Sequence, residues 1–214
     1  QLGAVSGGNI SDLLNYADGV YSKIIVDLSA VTIDKIVTVT TSNTIIDFVD
    51  TTIDYAALDT AGSTAAVSTA SIFQVSGDNC KITGGYFTGA ASYDGGNDIP
   101  TTSNGFAIIL VSGDNFTLDD VRHLNTQQVF IWFKDCTSGT VKGCDLNGGY
   151  TVPATNLPNG TGHFGIMLDP DTSNETSNFL ITENRIHGYI EGISPANLGT
   201  GAVISGIVIT NNFF

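Results

Sequence analysis

Apolar and polar residues alternate along much of this chain in short runs that recur at a fixed spacing. The segment VTTSNTIID at Val39 returns as VSGDNCKIT at Val75 and as VSGDNFTLD at Val111, in steps of 36 residues. Alternation of this kind predicts β-strands, and its return at a fixed period predicts a solenoid of stacked parallel strands. Weaker copies of the strand core follow at Ile82, Leu118, Val141, Ile181 and Ile209.

Two kinds of segment interrupt the repeats. NISDLLNYADGV has apolar residues at helical spacing and predicts a short helix that covers the open end of the core. We therefore assign residues 1–22 to an N-terminal cap and residues 23–214 to the stacked coils. The unequal spacing of the later strand cores predicts loop insertions near residues 88–105 and 147–162, where Gly, Pro, Asn, Ser and Thr are abundant.

Alignment of the strand cores also predicts a ladder of asparagines at one turn of each coil. An asparagine at this position satisfies backbone groups of the turn and bonds its own copy in the next coil. The residues that share the position are Asn43, Asn79, Asn115, Ser138 and Asn178.

Composition narrows the class of partner. Of the 214 residues, 42% are hydrophobic and 13% are charged, and the formal net charge is −14. This balance excludes a disordered chain and argues against nucleic acid or an anionic membrane as a partner. No apolar run approaches the ~20 residues that span a bilayer. Cys80, Cys136 and Cys144 fit neither a disulfide framework nor a zinc site, so we expect small buried residues.

The capping helix, the strand VDLSAVTI, and the coils ITENRI and VITNNFF with their asparagines resemble the right-handed parallel β-helix of the pectate-lyase-like superfamily. The resemblance covers the chain from about Ile10 onward. It implies an all-β fold, a right-handed single-stranded parallel β-helix (solenoid) with a short N-terminal capping helix. The superfamily includes polysaccharide lyases, glycoside hydrolases, adhesins and phage tailspikes, and the tailspikes associate side by side as homotrimers.

One outward position collects charged and aromatic side chains. The alignment places Asp50, Tyr86, Arg122, Asp145 and Arg185 in a single column. Two interpretations stay open: a partly exposed ladder of alternating charges, or a strip in which two arginines beside a tyrosine bind an acidic sugar.

The adjacent column contains Asp120, Gly143 and Glu183, which places two carboxylates two coils apart, or ~9.6 Å between backbones. That separation is close to the upper limit of the ~6.5–9.5 Å typical of inverting glycosidases, although acidic residues on a solenoid surface are often only solvated. The polygalacturonase-like pattern is matched only in part, because its Asn-x-Asp is absent and Arg185 is not followed by Ile-Lys.

The segment DPDTSNE places Asp169, Asp171, Ser173 and Glu175 at alternate positions, a spacing that fits either a Ca²⁺ loop or an ordinary acidic turn. No interpretation requires another cofactor.

The remaining strand of each coil has an outward face that is too apolar to stay in water. We expect the insertions, another subunit or a ligand to cover it, and Trp132 is a candidate platform for stacking a sugar. The predicted outward residues are Ile72, Gln74, Ile108, Leu110, Phe130, Trp132, Gly165 and Met167.

The sequence and the resemblance together predict a surface-exposed domain of the tailspike or tail-fibre kind, extracellular or on a virion. We expect it to recognise polysaccharide or a cell-surface glycan and, in one version, to depolymerise it. The first alternative is a secreted pectate-lyase-like or polygalacturonase-like enzyme. The second is a structural stalk, adhesin or filament subunit. A homo-oligomer, specifically a trimer, or a place in a larger assembly is expected, without nucleic-acid binding or membrane insertion.

Overall fold

The computed structural model describes residues 7–55, 71–89, 107–124, 129–149, 164–170, 174–189, 191–195 and 201–214. Within these ranges the protein is all-β, with one helix, α1 (Ser11–Ala17), and twenty strands. Every strand pairing in the described part of the chain is parallel.

The strands form one large sheet, one of intermediate size and one small pair. The large sheet contains β1 (Gly8–Asn9), β2 (Lys23–Val26), β3 (Ala30–Thr32), β5 (Ile45–Asp54), β7 (Lys81–Thr88), β9 (Phe116–Asp119), β10 (Arg122–Leu124), β12 (Gly139–Lys142), β13 (Asp145–Asn147), β16 (Phe179–Thr182), β17 (Arg185–His187) and β20 (Val208–Thr210). The second sheet contains β4 (Val37–Val39), β6 (Phe73–Val75), β8 (Ala107–Val111), β11 (Val129–Lys134), β14 (Phe164–Asp169) and β18 (Glu191–Pro195). The pair is β15 (Glu175–Ser177) with β19 (Val203–Ser205).

Two long strands, β5 and β7, join two ladders within the large sheet. Their first halves continue through β9, β12, β16 and β20, and we call this the first ladder. Their second halves continue through β10, β13 and β17, and this is the second ladder. The intermediate sheet is the third ladder. The chain thus contributes a strand to each ladder in turn before it returns to the first.

The observed register confirms the repeat alignment. Val39 pairs with Val75, and Val75 pairs with Val111. In the first ladder the chain of partners is Ile82, Leu118, Val141, Ile181 and Ile209.

The inward residues of the three ladders form one continuous core. Phe48, Phe73 and Phe87 meet edge to face at centroid distances of 5.7–6.3 Å. Burial of each such ring contributes roughly 1.5–3 kcal/mol, so the core itself is a large stabilising contribution. The cysteines are buried and free, as expected, and burial raises the pKa of the Cys136 and Cys144 thiols to about 12.

The third ladder corrects part of the predicted outward face. Ile72, Ile108 and Phe130 are buried in the main core, and Phe130 stacks on His123 at 4.2 Å. A Cβ on Gly165 would also point at the core residue Ile186. Two consecutive residues face inward at the start of each of these strands, so strict alternation fails there. Gln74, Leu110 and Trp132 are half-buried and Met167 is 8% exposed.

The predicted asparagine ladder is confirmed between two coils. The side-chain amide of Asn115 donates to Oδ1 of Asn79 at 2.8 Å, and both residues have a left-handed backbone, with φ of 57°. Asparagine tolerates that conformation better than most residues with a Cβ.

A second asparagine ladder lies inside the protein and was not predicted. Asn184 is 2% exposed, its Oδ1 accepts from the Cys144 N–H at 2.9 Å, and its amide donates to the Val141 carbonyl at 2.9 Å. Asn212 repeats the pattern in the next coil, donating to the Ile181 carbonyl at 2.8 Å. These amides satisfy backbone groups at the corner between the first and second ladders.

The helix predicted for the cap is present. Asn15 joins it to the third ladder by donating to the Ile36 carbonyl at 2.8 Å and accepting from the Thr38 N–H at 2.8 Å. Most of the predicted insertions, at residues 90–106 and 150–163, lies outside the described residues.

Candidate functional site

A cleft of about 390 Å³ opens where the first and second ladders meet on the outer surface. Its volume lies in the ~300–1,000 Å³ range of small-molecule sites. The lining residues come from β5, β7, the turn after β9 and the start of β10: Asp47, Phe48, Val49, Asp50, Thr51, Thr52, Thr83, Gly84, Gly85, Tyr86, Asp120 and Arg122.

A bulge in β5 creates this cleft. Phe48 pairs with Gly84 and Thr52 pairs with Tyr86, so three residues of β5 lie opposite Gly85 alone. Gly85 has φ +83°, and a Cβ there would lie 2.5 Å from Cδ1 of Ile53. The bulged strand therefore needs a neighbour without a side chain.

Arg122 is the unusual cation of the molecule. Five of the seven basic residues form ion pairs with carboxylates, and the ammonium of Lys134 lies 6.0 Å from the ring centroid of Trp132. Within the described chain, the exposed Arg122 side chain makes no ion pair or hydrogen bond with any residue. A guanidinium without a partner in a cleft is available to a ligand.

Two carboxylates of the cleft are also unpaired. Asp50 and Asp120 are exposed, and in the described part of the chain neither side chain has a hydrogen bond or ion pair. Both have left-handed backbones, with φ of 47° and 53°. The third carboxylate, Asp47, is paired with the Lys23 ammonium at 3.0 Å.

The predicted charged column is present but divided. Arg122 pairs in register with Tyr86 on one side and with Asp145 on the other, and Asp145 pairs with Arg185. Nη1 of Arg185 lies 3.8 Å from Oδ2 of Asp145, and the other oxygen of that carboxylate lies 3.2 Å from Nε2 of His187. Tyr86 and Arg122 line the cleft, whereas Asp145 and Arg185 are not among its lining residues.

The placement of Asp50 in that column is wrong. The residue in register with Tyr86 is Thr52, because the bulge adds two residues to β5. Asp50 nevertheless lines the cleft from the bulge itself.

The structure does not bring the predicted catalytic pair into one pocket. Asp120 and Glu183 occupy equivalent corners of the chain, separated by Gly143, and all three have positive φ. Two strand spacings separate them, or ~9.6 Å between backbones. Asp120 lines the cleft and Glu183 does not.

Trp132 lies on a different ladder from the charged column that contains Arg122 and Arg185. It pairs with Leu110 and Met167 in the third ladder, and its indole Nε1 is buried without a hydrogen bond to any described residue. It belongs to a small outer apolar cluster with Ala107, Val129, Met167 and Phe164. Trp132 is therefore not among the residues that line the cleft and that would contact a ligand there.

The calcium-loop prediction falls partly outside the described residues. Asp171 and Ser173 are among those left undescribed, whereas Asp169 is 1% exposed and Glu175 is exposed. The hydroxyl of Ser205 donates to Glu175 at 2.8 Å and lowers the pKa of that carboxyl. No group of three metal-ligating side chains is found in the described ranges.

A buried polar cluster behind Arg122 was also missed. The Tyr55 hydroxyl lies 2.8 Å from Nε2 of His123, and the Tyr189 hydroxyl lies 2.7 Å from Nδ1 of the same ring. Burial raises the pKa of Tyr189 well above its ordinary value. His123 occupies an inward position of β10. The signal in the sequence was its place directly after the outward residue Arg122 in DDVRH, because neighbouring residues of a strand face opposite sides.

Comparisons with family models, curated proteins and solved structures found no match to this chain. Among the described residues, no helix has the length and apolar character needed to cross a membrane.

Proposed function

We propose that the three parallel ladders are the faces of a right-handed parallel β-helix similar to the pectate-lyase-like superfamily. The return of the chain to the same ladder after each circuit supports a solenoid, as does the stacking of Asn184 on Asn212. Right-handedness follows from the strong preference for right-handed connections between parallel strands.

We further propose that this is a surface-exposed domain that recognises polysaccharide through the cleft. The observation that carries the proposal is the unpaired guanidinium of Arg122 inside a ligand-sized cleft. Around it are the aromatic ring of Tyr86 and the unpaired carboxylates of Asp50 and Asp120. A protein that binds a sugar ring uses a flat apolar surface to stack on the ring and polar side chains to bond several of its hydroxyls. Tyr86 provides the first, and the three charged residues provide the second.

The proposal concerns binding and includes no cleavage step. Glycoside hydrolysis by an inverting route needs two carboxylates on opposite sides of one sugar. Glu183, the partner predicted for Asp120, is not among the cleft residues.

The test compares two arginines of the same column. In affinity electrophoresis through a panel of immobilised polysaccharides, we expect the wild-type protein to be retarded by at least one polymer. Arg122→Ala should weaken that binding about 10- to 100-fold, because hydrogen bonds to a charged group contribute ~1.5–3 kcal/mol.

Arg185→Ala is the matched control, because Arg185 shares the column but is paired with Asp145. Its binding should remain within about twofold of the wild type. Absence of retardation by every polymer, or an equal loss in both variants, would contradict the proposed function.

A further inference from the structure

We infer that the cleft selects uncharged, hydroxyl-rich sugar units and rejects acidic ones. This inference rests on the proposed function and specifies its ligand class. That class differs from the acidic sugar named in one of the two interpretations of the charged column, because the charges around the cleft differ from those of the predicted column.

The charge balance of the lining is negative. Asp47 is neutralised by Lys23, which leaves Asp50 and Asp120 against Arg122. Arg185, the second cation expected to hold an acidic group, is paired with Asp145 instead. A uronate carboxylate that reached Arg122 would therefore approach two unpaired carboxylates, on a protein with a net charge of −14.

The same three side chains suit a neutral sugar. An ionised carboxylate only accepts hydrogen bonds and takes two hydroxyl donors without steric difficulty, whereas a guanidinium only donates. Asp50 and Asp120 would accept from sugar hydroxyls, and Arg122 would donate to a hydroxyl or ring oxygen. Each sugar hydroxyl both donates and accepts, so one neutral ring satisfies both kinds of protein group.

The fold does not require the Asp120 carboxylate. The neighbouring corners in the same stack are Gly84 and Gly143, with φ of +70° and +65°, and Asp120 has φ 53°. Glycine adopts this conformation at lower cost than aspartate. Asp120→Gly therefore removes the carboxylate while it preserves or raises the stability of the corner, which separates binding from folding.

The experiment uses affinity electrophoresis to measure how strongly each polymer retards the protein. The neutral polymers are galactan, mannan, dextran and arabinan, and the acidic polymers are polygalacturonate and alginate. We expect a neutral polymer to retard the protein to nearly the same extent at low and at high salt. The acidic polymers should not retard it. Asp120→Gly and Asp50→Asn should each weaken neutral binding about tenfold. Asp34→Asn, an exposed residue outside the cleft, should not.

The double variant Asp50→Asn with Asp120→Gly, which retains Arg122, should gain retardation by an acidic polymer at low salt. Thermal unfolding of each variant checks that the fold is intact. Stronger retardation of the wild type by an acidic polymer would overturn this inference and leave the proposed function standing. Unchanged neutral binding in both Asp variants would also overturn it, whereas no retardation by any polymer would contradict the proposed function itself.

Discussion

The outward column of the second ladder has two halves that share one register and differ in chemistry. In the half that contains Tyr86 and Arg122, the polar ends of both side chains make no hydrogen bond or ion pair with the described residues, and both line the cleft. In the half that contains Asp145 and Arg185, the charges are paired, and His187 completes the contact. Position in the ladder therefore does not decide which charged residues are available to a ligand.

The difference arises on the strands beside each half. The open half lies next to the β5 bulge, where Gly84 and Gly85 let β5 approach closer than a neighbour with a side chain would allow. The closed half lies on β13 and β17, which are in regular register and bring opposite charges together. An irregularity in backbone pairing thus accompanies a cleft with unpaired side chains, whereas regular stacking accompanies an ion pair.

One of the two largest effects should follow from adding a side chain at Gly85, where β7 approaches the bulged strand of the open half. Gly85→Ala would place a methyl 2.5 Å from Cδ1 of Ile53 and 2.9 Å from Cβ of Phe48, at φ +83°. The left-handed backbone and the overlap together predict a loss of about 2–5 kcal/mol in the free energy of unfolding. Urea denaturation measures this loss.

Gly7→Ala is the control for the cost of the left-handed backbone, because Gly7 has φ +74° and no described residue places an atom within 4 Å of the added methyl. It should cost only ~1–2 kcal/mol. Equal losses at the two positions would mean that the close approach of Gly85 to β5 adds nothing to the cost of the left-handed backbone.

The other large effect concerns the asparagine beneath the closed half. Asn184→Ala would leave the Cys144 N–H and the Val141 carbonyl buried without their partner. Each unpaired buried group costs ~1–3 kcal/mol, so the loss of both partners should lower the free energy of unfolding by about 2–6 kcal/mol. The folded variant should bind any polysaccharide that binds the wild type, since Asn184 is not among the residues that line the cleft.

Asn115→Gly removes an amide from the exposed ladder and is the matched control. Its bond to Asn79 is solvent-accessible, and glycine suits the φ of 57°, so the loss should stay below about 1 kcal/mol. A loss as large as that of Asn184→Ala would show that the two ladders contribute alike.

The regular parts of the molecule were predictable because stacking transmits register from one strand to the next. Alignment on the strand cores was enough to place the residues four positions after Leu118, Val141 and Ile181 in one column: Arg122, Asp145 and Arg185. Both the ladder pairing and the Asn79–Asn115 contact followed from that single alignment.

The irregular parts of the molecule were not predicted, because aligning repeats shows only the features that the repeats have in common. Ile82 and Phe87 are five residues apart, as are Leu118 and His123, but the equivalent Ile46 and Ile53 are seven apart. That spacing was the available signal for the bulge. The inward positions of Ile72, Ile108 and Phe130 had no such signal. Alternation of apolar and polar residues does not show where two consecutive side chains face the core.

The smallest effect should come from breaking the ion pair of the closed half. The Arg185 and Asp145 side chains are 56% and 47% exposed, and pairs with such exposure contribute little because water and salt screen them. Asp145→Asn should change the free energy of unfolding by no more than about 0.5 kcal/mol, at low and at high salt alike. A loss above ~1 kcal/mol that salt abolishes would mean that charge pairing holds this half together. The expected small change instead assigns its stability to the regular backbone ladder and the Asn184 contacts beneath it.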